Sequence, residues 1–364
     1  MNETSNATSA SPPITERICR LRGAFEEAGI DALLVGTESN RRYLSGFTGS
    51  AGYLIVAPER RLVITDGRYT TQAAEQSLDY EIVIHSGPIL EEVAARVDET
   101  GIQRLGFDPA TTSVAKFEEL RGRLGEDSEL VAAPGLVEKL RLIKDDYELA
   151  IMRRAIKMAD QVQAMVAREL VPGRAERDVA IQIEQEFRRL GAQKTSFDVI
   201  VAAGPNSAMP HHLPGDYVMR AGEPVVVDIG AVCDGYCSDI TRSYCPGGLT
   251  PRFQEIYGIV LEAEEKAMAG VAAGRSGRDV DGIARAVITE AGYGEYFDHG
   301  VGHGVGMEIH EGPRLAMTAT DTLESGMVHS IEPGIYLPDW GGVRIEDLVL
   351  VGADGAEVLT SAPK

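Results

Sequence analysis

Residues 225–244 read VVVDIGAVCDGYCSDITRSY and hold two aspartates, Asp228 and Asp239, 11 positions apart in an otherwise apolar and β-branched run. The dipeptide Asp234-Gly235 lies between them, and Asp-Gly favours the two-residue turn of a β-hairpin. Two antiparallel strands joined by such a turn bring both carboxylates close together. This stretch therefore predicts a hairpin that carries a pair of acidic side chains at one site.

A second stretch repeats this arrangement with glutamates. Residues 330–351, SIEPGIYLPDWGGVRIEDLVLV, place Glu332 and Glu346 in strand-like runs on either side of the turn PDWGG. A salt bridge could explain one such carboxylate, but burying four without a counter-charge would be costly. Carboxylate oxygens suit hard divalent cations and can hold two ions together. We therefore expect a two-metal site, with Arg344 on the strand face of Glu346 and able to orient a carboxylate.

Histidines are concentrated in the same half of the chain. Six of the seven fall between His211 and His329. The segment DHGVGHGVGMEIHE, residues 298–311, sets three of them among glycines that allow close backbone approach. Neutral imidazole binds divalent metals, and its N–H can donate to a substrate carbonyl or an oxyanion. We expect one of the three to be a metal ligand and the other two to contact substrate; they are His299, His303 and His310.

The composition excludes several classes of partner. A net charge of -21 repels nucleic acid and anionic membrane surfaces, so neither partner is expected. No run approaches the roughly 18 apolar residues of a spanning helix, and the polar start MNETSNATSASPP lacks the features of a signal peptide. The four cysteines lack C-x-x-C spacing and fit a reducing compartment. We therefore predict a cytoplasmic location.

Length and patterning predict two domains after a short tail. A chain of 364 residues exceeds what one hydrophobic core usually supports. Residues 1–13 are expected to be a flexible tail, residues 14–138 alternate short β-like runs with helical segments, and residues 139–364 hold both hairpins. A pair of helices precedes each hairpin, which predicts an internal duplication with both hairpins at one centre. The predicted helices cover residues 145–170, 175–190, 251–273 and 277–291.

Several strings in the second half carry a family resemblance. VVVDIG with YCSDITRSY, HGVGHGVGMEIHE, IEPGIYLP and GVRIED resemble motifs of the pita-bread metallopeptidases that cleave Xaa-Pro bonds, aminopeptidase P and prolidase. The similarity extends from about residue 145 to residue 351. It implies an α+β fold: a C-terminal pita-bread (creatinase/aminopeptidase-like) catalytic domain after an N-terminal mixed α/β creatinase-like domain.

The resemblance also implies a set of site residues. It implies two divalent metal ions, with Mn²⁺ expected and Co²⁺ or Zn²⁺ as alternatives, and a metal-activated water that attacks the carbonyl before proline. Glu332 is expected to move the proton, and His310 to stabilise the tetrahedral intermediate. Phe197 and His211 are expected to line the substrate pocket. The implied metal ligands are Asp228, Asp239, His303, Glu332 and Glu346, and the implied catalytic residues are His211, His299, His310, Glu332 and Arg344.

Two activities fit this resemblance, and the first half of the chain separates them. GFTGSAG (46–52) and TDGRYTTQA (65–73) are more similar to the N-terminal domain of aminopeptidase P, so we predict an Xaa-Pro aminopeptidase acting on proline-containing peptides, with prolidase as the alternative. That domain commonly covers a partner subunit's site in the family, which implies a homodimer. A metal-free creatinase-like hydrolase or an inactive peptide-binding homologue is a third interpretation, disfavoured because all five ligand positions are acidic or histidine.

Overall fold

The computed structural model describes residues 12–364. The chain divides into two compact units, the first ending at Arg141 and the second comprising Leu142–Lys364. The expected tail at residues 1–13 lies almost wholly outside the described residues, and the boundary after residue 138 stays a prediction. Within residues 12–364, no helix is both long enough and apolar enough to cross a membrane.

The first unit is built around one six-stranded sheet with the order β4-β3-β2-β1-β5-β6. β1 pairs antiparallel with β2, as β2 does with β3, and the other neighbours are parallel. The strands are β1 Ala32–Val35, β2 Tyr53–Val56, β3 Arg61–Asp66, β4 Glu81–His85, β5 Arg104–Phe107 and β6 Glu129–Ala132. The helices are α1 Ile14–Gly23, α2 Phe25–Ala28, α3 Glu38–Ser45, α4 Thr70–Gln76, α5 Ile89–Thr100, α6 Val114–Arg121 and α7 Leu136–Leu142.

The helix α3 was not predicted, because its sequence ESNRRYLS is mostly polar. It nevertheless buries Asn40 and Arg41 together with its apolar residues. The two terminal nitrogens of the buried Arg41 guanidinium donate to the carbonyl oxygens of Gly36 at 2.5 Å and Gly49 at 2.7 Å, both outside the helix. Asn40 Nδ2 donates to Glu138 Oε1 at 2.6 Å, a partner much later in the chain. Helical periodicity carries no signal for contacts outside the helix, so the polar helix escapes detection from sequence.

The second unit contains four long helices and four small sheets. The sheets have the orders β12-β9-β8, β11-β10-β7, β14-β13-β15-β18-β19 and β16-β17. The helices are α8 Asp146–Glu169, α9 Glu176–Leu190, α10 Pro251–Ala269 and α11 Gly277–Glu290. The strands are β7 Lys194–Thr195, β8 Ile200–Ala203, β9 Val225–Ile229, β10 Ala231–Cys233, β11 Tyr236–Cys237, β12 Ile240–Tyr244, β13 Gly302–Gly304, β14 Glu311–Leu315, β15 Val328–Ile331, β16 Gly334–Leu337, β17 Gly341–Arg344, β18 Asp347–Val351 and β19 Ala356–Val358.

The same order of elements occurs twice in this unit. One hydrophobic core joins α8 and α9 to β8, β9 and β12, and a second joins α10 and α11 to β15 through β18. Local signals begin each half: a capping box between Asp145 and Glu148 starts α8, and Thr250 caps α10 ahead of a proline. Each pair of helices therefore packs against one carboxylate-bearing hairpin, as the duplicated pattern predicts.

The aspartate hairpin has the turn that its sequence indicates. Asp234 and Gly235 have φ of 42° and 77°, the positive values that a type I′ turn requires at both central residues. Asp228 pairs with Thr241 across β9 and β12. Asp239 lies two positions before Thr241, on the same face of the strand. Both carboxylates therefore project from one side of the hairpin.

The glutamates occupy a break in the second hairpin. The pairing of β15 with β18 ends at Ile331 opposite Asp347, and the pairing of β16 with β17 begins at Gly334 opposite Arg344. In the gap, the N–H of Glu332 donates to the Val301 carbonyl at 2.8 Å. The backbone at this break thus bonds to neighbouring segments, which leaves the glutamate side chains free to meet.

Hydrogen bonds from β12 connect the two hairpins. The N–H of Glu346 donates to the Thr241 carbonyl at 3.1 Å, and the Ser243 hydroxyl donates to the Arg344 carbonyl at 2.8 Å. Arg242, which is 2% exposed, donates to the Glu346 carbonyl at 2.6 Å and to an Asp347 oxygen at 2.7 Å. These contacts set the distance between the aspartate and glutamate pairs.

Replacing Arg242 with Met should destabilise the second unit, because it leaves the buried Asp347 carboxylate with one cation fewer. We expect a loss of about 3 kcal/mol, which corresponds to a fall in Tm of roughly 6–12 °C for a unit of this size. The measurement is thermal unfolding followed by circular dichroism. Arg252→Met is the matched control, since that arginine is exposed on α10. Equal Tm values for the two variants would contradict the proposed link.

Candidate metal centre

Three buried carboxylates converge where the hairpins meet. Asp228, Asp239 and Glu346 each present an oxygen, and these atoms all lie within 4.8 Å of one another. One oxygen on each residue (Oδ1, Oδ1 and Oε1) has no hydrogen-bond partner among residues 12–364. Oxygens that can only accept are therefore buried facing one another, an arrangement that costs free energy unless a cation lies between them.

His303 and Glu332 complete the set beside these carboxylates. His303 Nδ1 is 3.1 Å from the Gly304 carbonyl oxygen, which can only accept, so Nδ1 carries the proton. The neutral ring then directs the lone pair of Nε2 toward Glu332 Oε1 at 3.3 Å and Asp239 Oδ2 at 3.6 Å. Acceptors again face acceptors. Four carboxylates and one imidazole are a donor set suited to divalent cations such as Mn²⁺ or Zn²⁺.

The pKa shifts of the site residues are those expected where buried carboxylates lie close together without a cation. Burial, followed by the negative charges of Glu346 and Asp228, raises the pKa of Asp239 well above its ordinary value. Burial also raises the pKa of Glu346 well above its ordinary value, with further contributions from Glu332 and Asp228. The pKa of His303 is lowered, chiefly by burial, which favours the neutral ring that a metal requires.

Arg344 is the positive charge that the chain itself supplies. Its Nη2 donates to Asp228 Oδ2 at 2.7 Å, and its Nη1 donates to the Tyr336 hydroxyl at 2.9 Å. His299 Nδ1 lies 2.8 Å from the Gly300 carbonyl and carries the proton, so the Tyr336 hydroxyl donates to His299 Nε2 at 3.0 Å. Both nitrogens of His299 are thereby engaged with protein groups. This histidine therefore orients Tyr336 and, through it, Arg344, and the substrate contact expected from its glycine-rich setting stays a prediction.

Two hydroxyls orient the glutamates. Thr241 Oγ1 donates to Glu346 Oε2 at 2.7 Å and accepts from Arg344 Nε at 3.2 Å. Ser330 Oγ donates to Glu332 Oε1 at 3.1 Å. Neither Tyr336 nor Thr241 was predicted to be a site residue. Strand alternation could have found both, since Tyr336 shares a strand face with the position paired to Arg344, and Thr241 pairs directly with Asp228.

The remaining candidates lie at the edge of the centre. The exposed ring of His310 is 4.4 Å from the ring of His303, and its pKa is lowered by burial and by His303. His211 is exposed and follows Pro210, whose carbonyl lies 3.4 Å from Arg344 Nη1. His310 therefore lies against His303, and His211 contributes to the lowered pKa of His310, while the substrate contacts expected of both histidines stay predictions.

Phe197 has a less defined position. It is half-buried in the loop between β7 and β8. No hydrogen bond, ion pair or ring contact described for residues 12–364 links it to the carboxylates or histidines. Its place in a substrate pocket therefore stays a prediction.

Comparisons with known proteins match both units. The profile of metallopeptidase family M24 matches residues 150–353, and that of the Creatinase/Prolidase N-terminal domain matches residues 17–143. The solved Xaa-Pro dipeptidase from Bacillus anthracis is 46% identical with a TM-score of 0.93, and the match covers 96% of this chain and 98% of that chain. The Xaa-Pro dipeptidase of Pyrococcus horikoshii is 36% identical over 356 residues, 96% of this chain and 98% of the relative. The X-Pro aminopeptidase structure from Thermotoga maritima is 34% identical with a TM-score of 0.88, covering 94% and 98% of the two chains.

These matches confirm the resemblance seen in the motifs. They also confirm the α+β fold class, with a creatinase-like N-terminal domain followed by a pita-bread catalytic domain. A buried acidic cluster in the catalytic domain fits the divalent metals of such peptidases. The chain belongs to metallopeptidase family M24.

Proposed function

We propose that this chain is a dinuclear metal-dependent dipeptidase that hydrolyses Xaa-Pro dipeptides. The observation that carries the proposal is the buried cluster of unpaired carboxylate oxygens from Asp228, Asp239 and Glu346. The substrate class comes from the relatives, two of which are named Xaa-Pro dipeptidases and match nearly the whole chain. The sequence-based preference for an aminopeptidase, which rested on two short N-terminal segments, is less supported. The Thermotoga maritima relative keeps that activity as the second candidate.

Five side chains would hold the metals in this proposal: Asp228, Asp239, His303, Glu332 and Glu346. When bound, two divalent ions would neutralise the carboxylates, polarise the scissile carbonyl and make water a nucleophile near neutral pH. We propose Mn²⁺, because a set of four carboxylates and one imidazole is rich in hard oxygen donors, with Co²⁺ or Zn²⁺ as substitutes.

The chain's own residues supply proton transfer and orientation. Glu332, which accepts from the Ser330 hydroxyl within the centre, takes a proton from water and passes it to the leaving amine. His310, neutral and exposed beside His303, donates a hydrogen bond to the developing oxyanion. Arg344 holds Asp228 in place, and Tyr336 with His299 holds Arg344. His211, whose charge contributes to the lowered pKa of His310, contacts the substrate near that histidine.

Two further expectations accompany this proposal. The homodimer expected from the family resemblance stays a prediction, as does the cytoplasmic location expected from the sequence.

A prolyl peptide bond lacks an N–H, so recognition depends on a pocket shaped for the pyrrolidine ring more than on a backbone hydrogen bond. Phe197 is the proposed wall of that pocket.

Substrate length separates the two candidate activities. Manganese-loaded protein should cleave an Xaa-Pro dipeptide faster than the corresponding Xaa-Pro-Xaa tripeptide, because a dipeptidase site is closed beyond the proline. The measurement is kcat/KM for both peptides, with an Xaa-Ala dipeptide as the control for proline specificity. Cleavage of the tripeptide alone would establish the aminopeptidase. Activity that survives complete chelation would support a metal-free hydrolase.

Asp239→Asn should remove metal binding and activity together, because the amide keeps the shape of the carboxylate but lacks its charge. We expect metal affinity and kcat/KM each to fall by more than about 100-fold, the upper range for residues that only support ligands. Bound manganese is measured by calorimetry and elemental analysis. Asp216→Asn, at an exposed aspartate, is the matched control and should leave both values unchanged. An Asp239→Asn variant with a full complement of metal would contradict the assignment.

In the metal-free protein, Asp239→Asn should raise the Tm at neutral pH, although the same substitution abolishes metal binding. The folded-state pKa of Asp239 lies above its ordinary value of 3.8, so the folded protein retains a proton that the unfolded chain releases. Stability from this group is therefore lost as pH rises above about 4. Asn cannot ionise, so the Tm of metal-free Asp239→Asn minus that of wild type should increase between about pH 5 and about pH 8. A difference independent of pH would rule out the buried charge.

Adding divalent metal should reverse the order of the two Tm values. Ligand that binds only the folded state stabilises it in proportion to occupancy, and only wild type keeps the complete set of ligands. Metal-loaded wild type should then unfold at the higher temperature. A variant that remains more stable with metal present would show that Asp239 contributes no ligand.

A further inference from the structure

Glu176 is a buried acid that the proposed chemistry does not use. It lies in the first turn of α9 and is 0% exposed. Its Oε1 accepts from the Ala203 N–H at 2.8 Å and from Asn206 Nδ2 at 3.0 Å. Its Oε2 accepts from the Gly215 N–H at 3.0 Å and from His212 Nε2 at 2.9 Å. Four donors therefore converge on one carboxylate.

These four donors all lie in or next to the segment that connects β8 to β9. We define the histidine loop as residues 204–215, the segment that follows β8 and carries His211. Ala203 immediately precedes this loop and Gly215 closes it, and both donate their backbone N–H to the same side chain. Charge-assisted hydrogen bonds of this kind are about twice as strong as neutral ones. Glu176 therefore fixes the path of a loop whose regular structure is the short 3-10 helix Gly204–Ala208.

The histidine loop also touches the metal centre. The Gly342 N–H donates to Ser207 Oγ at 2.8 Å, which attaches the start of the loop to β17. The Pro210 carbonyl lies 3.4 Å from Arg344 Nη1, and Arg344 in turn bonds to Asp228. His211 is thus flanked by Pro210, which contacts the site, and by His212, which contacts Glu176.

We propose that Glu176 is a positioning residue that acts through His211, holding the histidine loop so that this imidazole reaches the substrate. The proposal rests on the function proposed above and assigns Glu176 no contact with substrate or metal. The hydrogen-bond partners of the Glu176 carboxylate, described above, include none of the five proposed ligand residues. A role confined to folding would leave the coupling between Glu176 and His211 at zero, so the two roles can be separated.

The test is a double-mutant cycle of Glu176→Gln with His211→Ala, measured as kcat/KM on the Xaa-Pro dipeptide with manganese-loaded enzyme. Gln keeps the volume of Glu but loses the charge and places an N–H₂ group against donors. The single Glu176→Gln variant should lose about 100-fold, the cost of misplacing a group that orients substrate. On the His211→Ala background the same change should cost less than about threefold. Bound manganese should stay unchanged in every variant.

Glu184→Gln is the matched control, because Glu184 is an exposed glutamate on the same helix. It should retain wild-type kcat/KM on both backgrounds. An equal loss from Glu176→Gln with and without His211 would overturn the proposal, since Glu176 would then act independently of that histidine. Loss of manganese in Glu176→Gln would overturn it as well.

A second readout does not depend on activity. The N–H groups of Ala203 and Gly215 donate to Glu176, so hydrogen exchange across residues 200–217 should accelerate in Glu176→Gln and stay at the wild-type rate in Glu184→Gln. Unchanged exchange would show that Glu176 does not hold the loop. If wild type cleaves no Xaa-Pro peptide, the proposed function and the catalytic part of this proposal both fail, while exchange still decides whether Glu176 orders the loop.

Discussion

The second unit is organised around acidic side chains that are buried beside one another and only partly neutralised. Arg344 balances Asp228, and the Thr241 hydroxyl bonds to Glu346, yet three carboxylate oxygens stay unpaired. A protein can keep such an arrangement only if the rest of its structure resists the repulsion. The two helix-backed cores and the connection through Arg242 supply that resistance. The same buried carboxylates therefore lower the stability of the metal-free fold and favour the binding of a cation. A divalent metal ion at this site would offset their repulsion.

Local sequence predicted the parts of the fold that local physics determines. The Asp234-Gly235 turn, the alternation along β9 and β12, and the helices beginning near residues 145 and 251 each follow from a turn preference, a period or a cap. The polar helix α3 was missed because its buried Asn40 and Arg41 bond to groups outside the helix, which helical periodicity does not reveal. The four helices predicted in the second unit agree with the observed ones to within one residue at seven of their eight ends, and α10 ends at Ala269, four residues earlier than predicted.

The candidate site shows the same division. Carboxylates in apolar strands are conspicuous in sequence, so the four acidic ligands could be proposed from the residues alone, whereas the resemblance was needed to select His303 from three histidines. The roles of the neighbouring groups could not be predicted, because they depend on which atoms form hydrogen bonds in the folded structure. His299 is occupied by Gly300 and Tyr336, and Glu176 gathers donors from a loop that begins 28 residues later in the chain. Contacts of that kind follow from tertiary packing, which spacing and composition do not encode.

The two carboxylate-bearing hairpins are far apart in the chain, so they are synthesised at different times. Asp228 and Glu346 are separated by 118 positions (346 minus 228), and the ring of acceptors closes only when the backbone of Glu346 bonds to Thr241. A ribosome releases the aspartate hairpin well before the glutamate hairpin exists. The nascent chain therefore has half a coordination sphere for several seconds at ordinary rates of synthesis, on the order of 5–20 residues per second. A metal held by all five proposed ligands would therefore bind only after the glutamate hairpin has been synthesised.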